Sequence, residues 1–199
     1  MTTFTFPSIT PSSNSFELVT NTRTYQSPLT NSVQTASRKG SLWKASLQFN
    51  NLTGDDRKVM QAFMVKLNGQ QHRFTLFDHS HTPRGAGGGT LRVKGAGQSG
   101  VTLLCDGATA SVNNYLRAGD YISFNNELHM VVADASSDAS TNLTLSIAPP
   151  IRKTPADNTI VDYSVPVVGV FMLAGPASWT TNTDLSSNFN FVAAEDVLA

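Results

Sequence analysis

The chain predicts a mainly β protein: a β-sandwich or split-barrel carrying one α-helix, interrupted by a small inserted antiparallel β unit. Three observations predict it. Apolar residues alternate with polar ones through several short segments, the two-residue period of half-buried strands. Only one stretch, 55–67, carries a helical apolar period. Charged residues make up only 14% of the 199, against 14 glycines and 9 prolines, a balance suited to strands joined by many turns.

The strongest local signal is the stretch 41–78. Trp43, Ala45, Leu47 and Phe49 fall on one face of a strand, and Lys44, Ser46, Gln48 and Asn50 on the other. Thr53, with Asp56 three residues later, spells a capping-box-like start, and Asp55 and Asp56 suit the positive end of a helix dipole. Val59, Met60, Phe63, Met64 and Leu67 then form an apolar stripe, with the Val59/Phe63/Leu67 face expected to pack on the sheet. Asn68-Gly69 stops the helix, and 73–77 returns as a strand.

Before this unit, residues 1–40 are rich in Ser, Thr and Asn. Segments 16–19 and 32–36 read as strands joined by long loops, or as an arm that orders against a neighbour. After it, His79-Ser80-His81 leads into Gly85-Ala86-Gly87-Gly88-Gly89, which reads as a flexible domain boundary. Short strands follow at 90–94, 101–105, 115–117, 120–124, 127–132 and 142–147. Asn125-Asn126 marks a tight turn, and the last of these strands ends at Pro149-Pro150. Segments 159–163, 165–173 and 187–192 complete the sheet. Both faces of 165–173 are apolar, so it is expected to be covered on two sides. The tail 193–199 reads as peripheral. The implied organisation is one β domain from 1–83 plus 157–199, bearing the helix 55–67, with a second β domain, 84–156, inserted in it.

Formal net charge is zero, and no basic arm points to nucleic acid or to an anionic membrane surface. The single cysteine, Cys105, sits in an apolar run and reads as a buried thiol. No apolar run reaches the length of about 18 residues that a membrane span needs, and the N-terminus lacks a signal-peptide pattern, so a cytoplasmic site of synthesis is expected.

A search for chemistry yields little. His79 and His81 have His-x-His spacing, but no third ligand lies at suitable spacing. Gly95-Ala96-Gly97-Gln98-Ser99-Gly100 spells a dinucleotide-like fingerprint, yet it leads into a strand rather than a helix. The run 85–89 lacks the Lys-Ser/Thr ending of a phosphate loop. No catalytic, cofactor-binding or metal-binding residue is assigned, no cofactor is expected, and the chain is not expected to be an enzyme. Trp43 and Trp179 offer a possible sugar-stacking platform, but Trp in an alternating strand reads more simply as core.

The runs Ser37-Arg38-Lys39-Gly40-Ser41-Leu42-Trp43-Lys44-Ala45 and Gly69-Gln70-Gln71-His72-Arg73-Phe74-Thr75-Leu76-Phe77-Asp78 resemble tail proteins of long-tailed bacteriophages. The helix between them adds to the likeness, as do Ala118-Gly119-Asp120-Tyr121-Ile122, Asn126-Glu127-Leu128-His129 and Ile147-Ala148-Pro149-Pro150-Ile151-Arg152. The group most similar is the distal-tail-protein-like, or baseplate, component of siphophage tail tips. The resemblance implies a structural virion protein that is assembled in the host bacterial cytoplasm. It implies a homo-oligomeric ring, often a hexamer, that joins the tail tube to the hub and receptor-binding parts. It implies no catalytic residues. The alternative is a carbohydrate-binding module recognising a host cell-surface glycan through exposed rings such as Tyr115 or Tyr121.

Overall fold

The computed structural model describes residues 1–38 and 40–196. The protein is mainly β, with one α-helix and two sheets that curl into half-barrels. The first sheet has seven strands: β1 (Thr3–Thr5), β2 (Ser13–Val19), β5 (Leu42–Leu52), β6 (Arg73–Leu76), β12 (Gly169–Leu173), β13 (Ser178–Thr181) and β14 (Ser187–Glu195). Its order is β1-β6-β12-β14-β5-β2, with β13 paired to β14. The second sheet, five-stranded, runs β7 (Gly89–Val93), β8 (Gly100–Ala108), β11 (Leu143–Ile151), β10 (Glu127–Val131) and β9 (Tyr121–Phe124). The remaining strands, β3 (Thr22–Gln26) and β4 (Val33–Ser37), pair only with each other.

Strand β5 behaves as its alternation requires, with Trp43, Ala45, Leu47 and Phe49 buried and Lys44, Gln48 and Asn50 exposed. It pairs with β2 on one side and β14 on the other, so the first core is built around it. Helix α1 (Gly54–Leu67) lies over that core. Asp55 and Asp56 occupy its first turn, and Asn68 closes it at φ 48° with its N–H on the Val65 carbonyl. Two details differ from the sequence reading. Thr53 makes no side-chain cap bond, because the chain enters the helix through a left-handed Gly54 (φ 56°). The buried face is Met60/Phe63/Met64/Leu67, while Val59 is 49% exposed. A residue one position from the stripe's centre is rotated about 100° around the axis. That is enough to move Val59 out to solvent.

Phe6 sits at the centre of the first core, edge-on to Phe63 at 5.2 Å and near Phe49, Phe74 and Phe191 at 6.0–6.1 Å. Phe63 meets Phe74 edge-on at 5.7 Å. Edge-to-face contacts of this kind add to the burial of the rings themselves.

In the second sheet, Asn125 and Asn126 both adopt positive φ (51° and 68°), as a tight β9–β10 turn demands. Strand β11 continues through Pro149 and Pro150 instead of ending there. Its register with β8 shifts between Ser146 and Ile151, and a proline needs no ladder partner at such an irregularity.

Two boundaries and one packing expectation differ from the sequence reading. The segment 158–163 stays with the second sheet: Val93 N–H donates to Thr159 O (2.9 Å), Val161 N–H to Leu91 O (3.0 Å), and Ser123 and Asp162 exchange bonds of 2.8 Å. The chain therefore returns to the first sheet after Tyr163 rather than at 157. The tail is not peripheral up to Asp196. Strand β14 runs to Glu195 between β5 and β12, and Asp196 is paired with Arg73. The rest of that expectation, 197–199, lies outside the described residues. The glycine-rich crossing is close-packed. A Cβ on Gly85 would stand 2.3 Å from the Tyr115 carbonyl oxygen, and Gly87 N–H donates to that same oxygen at 2.9 Å. The glycines serve backbone contact as well as freedom of φ.

Truncating Phe63, 7% exposed and edge-on to two rings, is expected to cost about 3–5 kcal/mol of unfolding free energy. Val59→Ala should cost no more than about 0.5 kcal/mol. Urea unfolding of both variants checks the assignment of faces, and equal losses would contradict it.

Candidate functional site

Polar chemistry gathers where the two sheets meet. Glu195, at the end of β14, is buried and accepts four hydrogen bonds. Its Oε1 takes Leu128 N–H (2.7 Å) and Arg152 Nη2 (2.7 Å), and its Oε2 takes Trp43 N–H (3.1 Å) and Arg152 Nη1 (2.9 Å). A bidentate guanidinium–carboxylate pair fixes direction as well as charge. Arg152 also donates to the Ser41 carbonyl at 2.7 Å. The Trp43 indole donates to the Leu128 carbonyl at 2.8 Å and its ring meets Tyr121 edge-on at 5.6 Å. Both polar groups of the Leu128 backbone thus bond across the junction, and Leu128 and Tyr121 belong to the core of the first sheet.

Glu127 continues the cluster. It accepts Lys153 N–H (2.9 Å) and Arg152 N–H (3.2 Å), and lies 3.6 Å from Arg152 Nε and 3.2 Å from His129 Nε2. Burial pushes its carboxyl pKa up, but His129 and Arg152 outweigh burial and hold it below the usual carboxylate range. A second carboxylate holds the other crossing. Buried Asp120 accepts Arg84 N–H (2.7 Å), Gly85 N–H (2.9 Å) and Arg117 N–H (2.8 Å), so the glycine-rich strand is held by backbone donors.

The residues weighed from sequence are dispersed. His79 lies against Phe77 at 4.2 Å and near Phe6, and burial lowers its pKa against the opposing pull of Asp78. His81 meets Tyr121 edge-on at 5.0 Å. Among the described residues no group of three His, Cys, Asp or Glu side chains stands where it could hold a metal. In the 95–100 turn, the Gln98 side chain bonds Lys94 O, Gly95 O and both backbone groups of Leu104, closing the β7–β8 connection on itself. Cys105 is buried, and its thiol pKa is pushed up to about 12 by burial and then by Asp106. Tyr115 and Tyr121 are buried, so neither presents a face to a sugar; Tyr115 bonds Gly88 O and Tyr163. Trp43 is core, while Trp179 is 40% exposed. No described helix is long and apolar enough to cross a membrane.

Sequence reading missed Glu127, His129, Arg152 and Glu195 as a group. Glu127 and His129 share one strand face at i, i+2, which is the only local signal they carry. Arg152 and Glu195 are 43 residues apart, and topology alone joins them.

The β3–β4 hairpin stands apart from both larger sheets. Every residue of β3 is exposed, and Tyr25, Leu29 (94%) and Val33 stand in solvent. The hairpin is an excursion between paired strands, since Val19 at the end of β2 faces Leu42 at the start of β5.

No protein-family model matches the chain, and no curated protein is similar to it in sequence.

Arg152→Ala strands two buried carboxylates and is expected to cost about 3–5 kcal/mol in chemical denaturation. A loss below about 1 kcal/mol would mean that the pair contributes nothing to the junction.

Proposed function

We propose that the protein is a structural component of a bacteriophage tail tip, forming a homo-oligomeric ring that joins the tail tube to the hub and receptor-binding parts. The observation that carries this reading is the β3–β4 arm. A two-stranded hairpin is marginal alone in water. This one holds Tyr25, Leu29 and Val33 out to solvent, away from the core of its own chain. A neighbouring copy gives those side chains a surface to cover. Zero formal net charge leaves little long-range repulsion between copies.

Two further features support the reading. The junction makes the two sheets one body, which suits a subunit that must transmit position rather than move. The resemblance of the runs 37–45, 69–78, 118–122, 126–129 and 147–152, with the helix 55–67, to distal tail proteins supplies the ring, with a hexamer as its expected size. On this reading the partners are other copies, the tube and the hub. Nucleic acid binding and membrane insertion have no part in it. The protein resides in the virion after assembly in the bacterial cytoplasm.

Sedimentation tests it. The full chain at micromolar concentration is expected to run as a closed oligomer. A variant with 22–37 replaced by a short Gly-Ser turn should still unfold cooperatively but run as a monomer. A monomeric full chain, together with tail particles that lack the protein in electron micrographs, would overturn the proposal.

A further inference from the structure

Between the C-terminal end of helix α1 and strand β13 lies a groove of about 300 Å³. Buried Met64 and Leu173 line it together with Val65, Ala177 and Trp179. Val65 is 69% exposed and Trp179 40%. Trp179 pairs with Phe189 across β13 and β14, and the two rings lie 6.1 Å apart, so the indole sits on the core side of the sheet, beside the helix. Among the described residues no charged side chain lines the groove. The neighbouring Lys66 is turned away, with its ammonium 4.1 Å from the centre of the Phe4 ring. An exposed Trp beside an apolar floor is the kind of feature that anchors a partner.

The β3–β4 arm offers the matching surface. From Thr24 to Ser37 it carries no charged residue. Leu29 stands 94% exposed at its tip, on a turn closed by Ser27 N–H to Ser32 O (2.9 Å) and Asn31 N–H to Ser27 O (3.0 Å). Seating that leucine in the groove removes apolar surface from water on both sides and strips no charge of its hydration.

A copy's own tip is directed away from its own groove. The arm carries on the β2–β5 ladder: Val19 faces Leu42, and beyond them Thr22 faces Ser37. It therefore leaves the first sheet past Leu42. Trp179 is level with Phe49 through Phe189, seven residues or about 23 Å along β5 in the opposite direction. The tip of a second molecule has no such constraint.

We infer that the groove between α1 and β13 receives the Leu29 tip of a second copy's arm. This rests on the assembly proposed above and names the surface that the arm meets. Tip and groove are different parts of one chain, so the contact is head-to-tail, and repeating it closes a ring where the rotation between copies permits.

Two substitutions at exposed positions test the contact, Leu29→Glu at the tip and Val65→Glu at the groove. Each is expected to melt cooperatively and to sediment as a monomer at a concentration where the unsubstituted chain is an oligomer. A Val65→Glu chain that assembles as the unsubstituted chain does would overturn the groove and leave the assembly standing. An unsubstituted chain that stays monomeric would overturn both. Cross-linking gives a second readout should either glutamate variant fail to fold. Leu29→Cys and Val65→Cys chains are mixed under a mild oxidant, with Cys105 buried and out of reach. A disulfide-linked dimer containing one chain of each kind is expected. Leu29→Cys chains linked only to each other would show arms meeting tip to tip, and would overturn the groove, as would absence of the mixed dimer.

Discussion

The structure turns on the carboxylate of Glu195. A buried charge is tolerated only with a partner and with its lone pairs occupied. Glu195 meets both conditions by drawing on three separate parts of the chain: the start of β5 at Trp43, the β10 backbone at Leu128, and Arg152 beyond β11. The need to satisfy one carboxylate fixes how the second sheet sits on the first. Leu128 and Tyr121 then enter the first core, and the Trp43 indole finds its acceptor. Apolar burial supplies the bulk of the stability here as in other folds. The polar cluster supplies direction, because a bidentate pair is right in only one orientation.

Legibility in the sequence followed the range of the interactions. Strand β5, helix α1, strand β6 and the Asn125-Asn126 turn were readable because period, stop signal and turn chemistry are all local. The β3 strand was not, since Thr-Arg-Thr-Tyr-Gln buries neither face and so carries no alternating pattern. Pro149 and Pro150 read as a strand end, yet the register shift in β11 accommodates them. The tail read as peripheral because Ala193, Ala194 and Glu195 are small or polar. Their importance comes from β5 and Arg152, which are distant in sequence. The same holds for the junction cluster, whose members carry no motif. The return crossing lies later than its composition suggests, because Thr159–Tyr163 is strand-like and composition does not say which sheet receives it.

The functional reading joins two contrasting properties. Within the chain, both oxygens of Glu195 are hydrogen-bonded at the junction, and the glycine-rich crossing is packed against Tyr115 and held by Asp120. At the arm, by contrast, apolar side chains face water. A closed body with an open arm is what an assembly subunit requires: internal rigidity to carry position, and external surface that gains stability only when a second molecule arrives. The outer face of β5 and β14 presents the amides Gln48, Asn50, Asn188 and Asn190 beside a single cation, Lys44.

If the Glu195 junction binds the two sheets into one body, they unfold together. Native-state hydrogen exchange measures this most directly, by comparing the Leu128 amide with amides deep in each sheet, Ala193 in β14 and Leu145 in β11. All three are expected to open with the same free energy and the same denaturant dependence, as members of one cooperative unit. Opening of Leu128 at much lower free energy, with the two sheets differing from each other, would contradict it.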